Sequence, residues 1–288
     1  MEIILQVLLD GFMWGAVYAL IASGLTMVYA ITRLLNFAHG DLMFLTMYIC
    51  LALYRAFGLD PYLSILITTP LMVILGLLIF HFLIRPVLKA HILMVIQLTL
   101  GLVFIISNSL VIVFTSDEVT VPTFITASKL YLGPLILRTP LLVAFGVSML
   151  ASLGFYWVLR STDFGRSVRA ISQNPETAEL MGINVRKVQM IVFTLGIMLL
   201  GIVGPLVIPV IQVMVPTMGL HMTLFAFVIL VVGGAGNFLG TLIGGLIIGI
   251  AEAFGYFYLS ASLAPAIPYA IFVLILLFRP QGLMGEAA

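Results

Sequence analysis

Charged side chains are scarce in this sequence: Asp, Glu, Lys and Arg make up 8% of 288 residues, where a soluble domain carries about 25%. That scarcity excludes a soluble enzyme and a disordered chain, since neither a water-facing surface nor a solvated coil can be built from so few charges. Basic and acidic residues nearly cancel, 12 against 11, so no basic stripe for nucleic acid is present. Cys50 is the single cysteine, which excludes an intrachain disulfide, a Cys-rich zinc site and a thiol pair. The three lysines, Lys89, Lys129 and Lys187, follow Leu, Ser and Arg. A Walker A loop needs Gly-Lys, so the sequence has none. The four histidines, His39, His81, His91 and His221, are scattered and form no His-Glu-x-x-His; neither a metal site nor a nucleophile with its base is suggested.

Hydrophobic residues make up 63% of the chain and the mean hydropathy is +1.28. Such a chain is an integral membrane protein almost throughout. At ~20 residues per span it has room for roughly eight to ten helices and for no large extramembrane domain. Apolar stretches run at about 5–31, 40–57, 62–84, 92–114, 139–159, 188–213, 217–232, 239–257 and 264–278. They are apolar all round, as helices facing lipid or each other must be, and none alternates like a barrel strand. The expected fold class is therefore all-α, one polytopic helical bundle over 1–288 with about eight or nine transmembrane segments. Eight crossings follow if one short segment is re-entrant, and Thr217–Val232 is the weakest span. Met1-Glu2-Ile3-Ile4 has no basic residue, so the first segment reads as a retained span rather than a cleaved signal.

The cations set an expected orientation. With the N-terminus outside and nine crossings, the inner segments hold Arg33, Arg85, Lys89, Arg160, Arg166, Arg169, Arg186, Lys187 and Arg279, and the outer ones Arg55, Lys129 and Arg138. This asymmetry follows the positive-inside rule and puts the C-terminus in the cytoplasm. The outer loop Thr115–Arg138 has strand character at Val119-Thr120-Val121 and Phe124-Ile125-Thr126, enough to cap the outer face. No internal repeat is visible in the sequence, although inverted structural repeats escape such inspection.

The inner loop, about 160–187, encodes a short helix over about 175–181. Asn174 suits the N-cap and Pro175 the first helical position. Glu176 and Glu179 sit near the positive end of the helix dipole, and Gly182 is a natural terminator. Ala178 and Met181 share a face at spacing three, small and adaptable enough for a socket. The plain reading is a capped linker; the functional one is a docking helix for a cytoplasmic partner.

Several polar residues sit inside or beside the spans. Asn36, His39 and Gly40 have helical spacing, with Asp41 beside them; they either cap the second span and satisfy backbone, or form an inner gate. Gly236, Gly240 and Gly244, continued by Gly245 and Gly249, form a ridge for close helix packing. Gly233-Gly234 breaks the helix before it, and broken helices near a path can present backbone groups to a polar ligand. Glu252 sits inside the eighth segment, where a charge costs roughly 2.5–3.5 kcal/mol unless it faces the bundle or a wet cavity. Asp10 reads as an interfacial residue, and Trp14 and Trp157 as interface anchors.

Glu176-Thr177-Ala178, three residues and Gly182 resemble the Glu-Ala-Ala-x-x-x-Gly loop of ABC importer permeases, the coupling helix that fits a groove on the ATPase; Thr177 replaces the middle Ala. Four further stretches are similar to the branched-chain amino-acid branch of that family. They are Ala19-Leu20-Ile21-Ala22-Ser23-Gly24-Leu25-Thr26 with Asn36-Phe37-Ala38-His39-Gly40-Asp41; Arg169-Ala170 through Ala178-Glu179-Leu180-Met181-Gly182-Ile183-Asn184; Val232-Gly233-Gly234-Ala235-Gly236-Asn237 with the glycines that follow and Glu252-Ala253; and Arg279-Pro280-Gln281-Gly282-Leu283. They cover the whole chain in order. The resemblance implies the ABC importer permease fold in its shorter subunit type, which translocates branched-chain or other hydrophobic amino acids across the cytoplasmic (inner) membrane. It implies two ABC ATPase subunits that supply the hydrolysis, a second related permease and an extracytoplasmic substrate-binding protein, with no cofactor, metal or nucleic acid. Under it, Arg169, Ala170, Asn174, Glu176, Ala178 and Gly182 couple to the ATPase, and Asn36, His39, Asp41, Gly234, Asn237 and Glu252 lie along the path. Importers of urea or amides and of aromatic acids share these motifs. Two departures stand out: a short outer loop, and Pro205 and Pro209 within the sixth span. The competing class is a stand-alone ion-coupled secondary transporter using Asp10, Asp41 and Glu252; a passive channel for urea or amides is a third.

Overall fold

The protein is described here by a computed structural model covering residues 2–88, 90–126, 128–259 and 263–285; Lys89, one of the cations that set the expected orientation, and Met1 lie outside the described residues. The helices are α1 (Glu2–Thr32), α2 (His39–Phe57), α3 (Pro61–Ile79), α4 (Arg85–Val87), α5 (Ile92–Phe114), α6 (Thr139–Ser161), α7 (Asp163–Gln173), α8 (Pro175–Leu180), α9 (Val185–Ile211), α10 (Gly219–Gly233), α11 (Phe238–Tyr258) and α12 (Ala266–Phe278). A π-helical turn, Phe80–Ile84, joins α3 to α4 in one span, Pro61–Val87. Among the described residues eight helices are long and apolar enough to cross a membrane. The ninth apolar stretch is α12, whose 13 residues reach ~20 Å against a hydrocarbon core of ~30 Å.

α9 lies at the centre, packed against α1, α2, α3 and α6. α3, α5 and α6 sit outside and turn Leu66, Phe104, Ile105, Ile112 and Leu150 outward, as lipid-facing helices do. Arg33, Arg85, Arg160 and Arg169 gather at one end of the bundle, called here the basic end. At the opposite end β1 (Lys129–Leu132) pairs antiparallel with β2 (Leu135–Arg138). The strands thus fall later than the sequence suggested; Val119 makes only an isolated bridge to Met214. This hairpin is tied to the start of α1: Gln6 Nε2 donates to the Ile136 carbonyl at 2.8 Å and Gln6 Oε1 accepts from the Ile136 N–H at 2.9 Å. Asp10 is 4.0 Å from Arg138 there.

Neighbour relations reveal an inverted repeat that the sequence hides. α1 packs on α11 and α9 on α3; α1 meets α9, and α2 meets α10; α1 meets α10 as α9 meets α2; α2 meets α3 as α10 meets α11. Exchanging α1–α2–α3 for α9–α10–α11 leaves this set unchanged. α1 is the first span and α9 the sixth, so the two triplets run in opposite directions through the bundle, the arrangement on which many transporters are built.

Small residues make the α1–α11 contact close. A Cβ on Gly245 would lie 2.7 Å from Ala19 Cα, and one on Gly15 2.7 Å from Leu246 Cα, so neither position admits a side chain. The glycine ridge therefore divides. Gly245 and Gly249 face α1, Gly240 and Gly244 face α10, and Gly236 precedes the helix with φ +92°. Hydroxyls close the same seams. Thr26 and Thr241 hydroxyls are 2.8 Å apart between α1 and α11. Pro205 has no N–H for the Gly201 carbonyl one turn earlier, and Thr68 Oγ1 on α3 donates to that carbonyl at 2.8 Å. The prolines in α9 thus leave the helix continuous and create an acceptor for its neighbour.

Candidate coupling loop and transmembrane crossing

The loop at the basic end is a rigid unit of two helices rather than one. α7, unforeseen in the sequence, is N-capped by Thr162, whose Oγ1 accepts from the Gly165 N–H at 3.2 Å. Asn174 caps α8 (Oδ1 from Thr177 N–H, 3.0 Å) and Asn184 caps α9 (Oδ1 from Lys187 N–H, 3.0 Å). α8 ends as expected on Gly182, at φ +84°. The Ile183 N–H reaches the Ala178 carbonyl and the Gly182 N–H the Glu179 carbonyl, at 3.1 and 3.0 Å, which is the Schellman pattern. Val168 and Ile171 of α7 bury with Ala178, Val188 and the basic ends of α1 and α6.

This packing corrects the expected pairing of Ala178 with Met181. Ala178 is 3% exposed and belongs to the chain's own core, whereas Leu180 and Met181 are 88% and 79% exposed beyond it. With six residues, α8 has under two turns, so its inward face has room for one small side chain. Glu176 and Asn174 lie exposed along the same helix. Arg169 donates to the Leu159 carbonyl and bolts α7 to the end of α6; Ala170 is partly buried in the cluster beneath.

The Asn36–Asp41 stretch does not form the helical face read from its spacing. The chain reverses at Arg33, φ 55°, and runs back without helix to α2, which begins only at His39. Asn36 lies before the helix and its Oδ1 accepts from the Ala38 N–H at 3.2 Å. His39 Nε2 is 2.9 Å from the Ile21 carbonyl. Ile21 is eleven residues before the end of α1, about 16 Å along its axis. α2 therefore starts near mid-depth of a ~30 Å core, not at a membrane surface.

α10 starts at the same depth. Its first residue, Gly219, touches the Asp41 carboxylate and admits no Cβ there. Two half-helices thus meet N-terminus to N-terminus, and the second caps the first. α2 has no side-chain cap of its own. Thr223 of α10 supplies it, accepting from the Gly40 N–H at 2.7 Å and donating to the Phe37 carbonyl at 2.9 Å. Asp41, 1% exposed, lies in the first turn of α2 against the start of α10. Ser107 of α5 donates to Asp41 Oδ1 at 2.6 Å. Asn36, His39 and Asp41 are all buried within the chain. Thr223 and Ser107 escaped the sequence reading because their roles depend on partners 183 and 66 residues away.

Gly234 and Asn237 come together at the α10–α11 turn. Asn237 Oδ1 caps α11 by accepting from the Gly240 N–H at 2.9 Å, and its Nδ2 donates to the Met284 carbonyl at 2.8 Å. Gly234 has φ +108° and lies against Gly285. The Leu283 and Met284 N–H groups bond to the Val232 and Gly233 carbonyls. The Arg279–Leu283 stretch is thus a strap closing this turn. Glu252 is far from it, on α11, 8% exposed and beside Tyr18 of α1. Tyr18 stacks on Trp14 at 5.4 Å and meets the tilted ring of Phe225 at 4.8 Å. Trp14 therefore belongs to an interior aromatic cluster and not to the membrane interface; Trp157, 65% exposed, has the surface position expected of an anchor.

Residues 7–277 match the family model described as branched-chain amino acid transport system / permease component. The chain belongs to this permease family. Several of its relatives match over nearly their whole length. The high-affinity branched-chain amino acid transport system permease protein BraD of Pseudomonas aeruginosa is 28% identical over 98% of this chain and 96% of its own. The permease protein LivH of Escherichia coli K12 is 30% identical over the same shares, and a probable LivH of Methanocaldococcus jannaschii is 31% identical over 97% and 92%. No solved structure matches the chain. For this permease, membership fixes the class of activity, movement of solute through a multi-pass membrane subunit.

Proposed function

We propose that the chain is the transmembrane permease subunit of an ATP-driven ABC importer for branched-chain or other hydrophobic amino acids, with loop 160–187 as its coupling element. The relatives' substrate supports the choice of solute. Two ATPase subunits, a second related permease and an extracytoplasmic binding protein complete the assembly, and all hydrolysis takes place on the ATPases. The N-terminus lies outside and the basic end, with the C-terminus, faces the cytoplasm.

One observation carries the coupling assignment. α8 is fixed to the core through Ala178 and both of its ends, yet it holds Leu180 and Met181 almost wholly exposed. A rigid helix with an apolar tip transmits force to a partner groove, and a free loop does not. When ATP closes the ATPases they carry α8 with them, and the displacement passes through α7 and α9 to the bundle. The α2–α10 crossing, held by the Thr223 cap on α2, is the pivot at which inward-open and outward-open states exchange. Asn36, His39 and Asp41 act at this pivot, Gly234 and Asn237 at the strap, and Glu252 is the path residue within the bundle.

Uptake of leucine into proteoliposomes holding the complete assembly tests this reading. Accumulation that requires both ATP and the binding protein is expected. Uptake by this chain alone, collapsed by an uncoupler and indifferent to ATP, refutes it in favour of an ion-coupled carrier. ATPase stimulation by urea-, amide- or aromatic-acid-loaded binding protein, with none by leucine, refutes the substrate and retains the coupling.

A further inference from the structure

A cleft of about 1050 Å³ opens at the basic end between α1, α6, α7, the α10–α11 turn and the C-terminal strap. Neither the coupling loop's exposed tip nor the half-helix crossing uses it. Three of its walls carry arginines: Arg33, Arg160 and Arg169. No acidic side chain lines it, and among the described residues none of the three has a salt-bridge partner. Each arginine spends a donor on a neutral group: Arg33 on the Ser172 carbonyl at 3.2 Å, Arg160 on the Tyr156 hydroxyl at 2.8 Å, and Arg169 on the Leu159 carbonyl. A guanidinium has five N–H donors, so most stay free for an anion. The deeper wall is apolar, formed by Met27, Ala30, Leu159, Val168 and Phe238.

Three cations held around one cleft, unpaired and above an apolar floor, ask for an amphipathic anion. The depth agrees. Trp157, exposed on α6 one residue from the lining Tyr156, marks the headgroup level at which aromatic side chains collect. α6 is also a lipid-facing helix, with Leu150 and Leu153 exposed one to two turns away, so the cleft borders the bilayer. We propose that it binds the headgroup of an anionic phospholipid, with the phosphate on Arg33, Arg160 and Arg169 and the glycerol and upper acyl carbons on the apolar wall. A free phosphate fits the same cations but leaves that wall in water.

The test uses the full chain in nanodiscs on a Trp14→Phe background, leaving Trp157 as the only tryptophan. Quenching by brominated phosphatidylglycerol is compared with quenching by brominated phosphatidylethanolamine. A basic residue at an anionic surface is worth about fivefold in association. Preference for phosphatidylglycerol should therefore fall at least fivefold in Arg33→Gln/Arg160→Gln/Arg169→Gln, and should persist in the corresponding triple Lys variant, which separates loss of charge from loss of fold. Equal quenching by both lipids in the parent protein overturns the proposal. So does displacement of phosphatidylglycerol by millimolar inorganic phosphate, which would make the cleft a free-anion site. A preference that appears only after removal of residues 286–288 assigns the cleft to the chain's own Glu286 and overturns it too, as does loss of the preference when the ATPase subunits are added.

Discussion

Leu180→Ala offers the sharpest test of the coupling geometry. Leu180 is 88% exposed at the tip of α8, so its removal leaves the permease's own packing intact. Full burial of a leucine side chain is worth about 1.5–3 kcal/mol. If the ATPase groove receives it, truncation should cost roughly 1.5–2 kcal/mol of association, a 10- to 30-fold rise in Kd. Ala178→Leu makes the contrast. Ala178 is buried against Val188 and the ends of α1 and α6, so added methylenes overpack the loop at about 1–3 kcal/mol and should lower the thermal stability of the chain alone. The assay is ATPase affinity for the nanodisc-embedded permease pair, together with melting of the isolated subunit. Leu180→Ala should weaken affinity and ATP-driven uptake with an unchanged melt, and Ala178→Leu should depress the melt. Wild-type ATPase affinity in Leu180→Ala, or a melt lowered by it, refutes the reasoning that the tip points away from the core.

Three further outcomes follow from the same geometry. Thr223→Val removes the cap of α2 and strands the buried Gly40 N–H, at about 1–3 kcal/mol; the melting temperature should fall, and Thr223→Ser should restore it. Gly245→Val places a side chain where a Cβ already meets Ala19 Cα at 2.7 Å and should cost roughly 1–3 kcal/mol, read as a lower melting temperature and loss of folded protein in detergent. Gly182→Pro cannot take φ +84°, because the ring holds φ near about −65°; ATP-driven uptake should drop to background while the subunit remains in the membrane, and normal uptake would remove α8 from the coupling path.

The length of the apolar runs and the scarcity of charge determined the helical membrane class, since spans must satisfy their own backbone and the lipid core sets their length. Local chemistry also sufficed for α8: Asn174, Pro175 and Gly182 act through neighbours within a turn, and the structure places the caps where the sequence did. The sequence erred where one more turn of chain mattered. Spacing alone put Asn36 on a helix and Met181 beside Ala178, because periodicity does not say where a helix begins or which face meets the core. Ser107 reaches Asp41 across 66 residues of chain, and Thr223 reaches Gly40 across 183. The inverted repeat is likewise a relation between neighbours in space, since two triplets of unrelated apolar residues pack alike once their directions are reversed. What the sequence determined by itself were the properties that depend on each residue's solvent and its nearest turn. Only the tertiary structure decided which half-helix N-termini face each other at mid-depth, because that depends on the return of the chain from Arg33 to His39 and on the partner each end finds there.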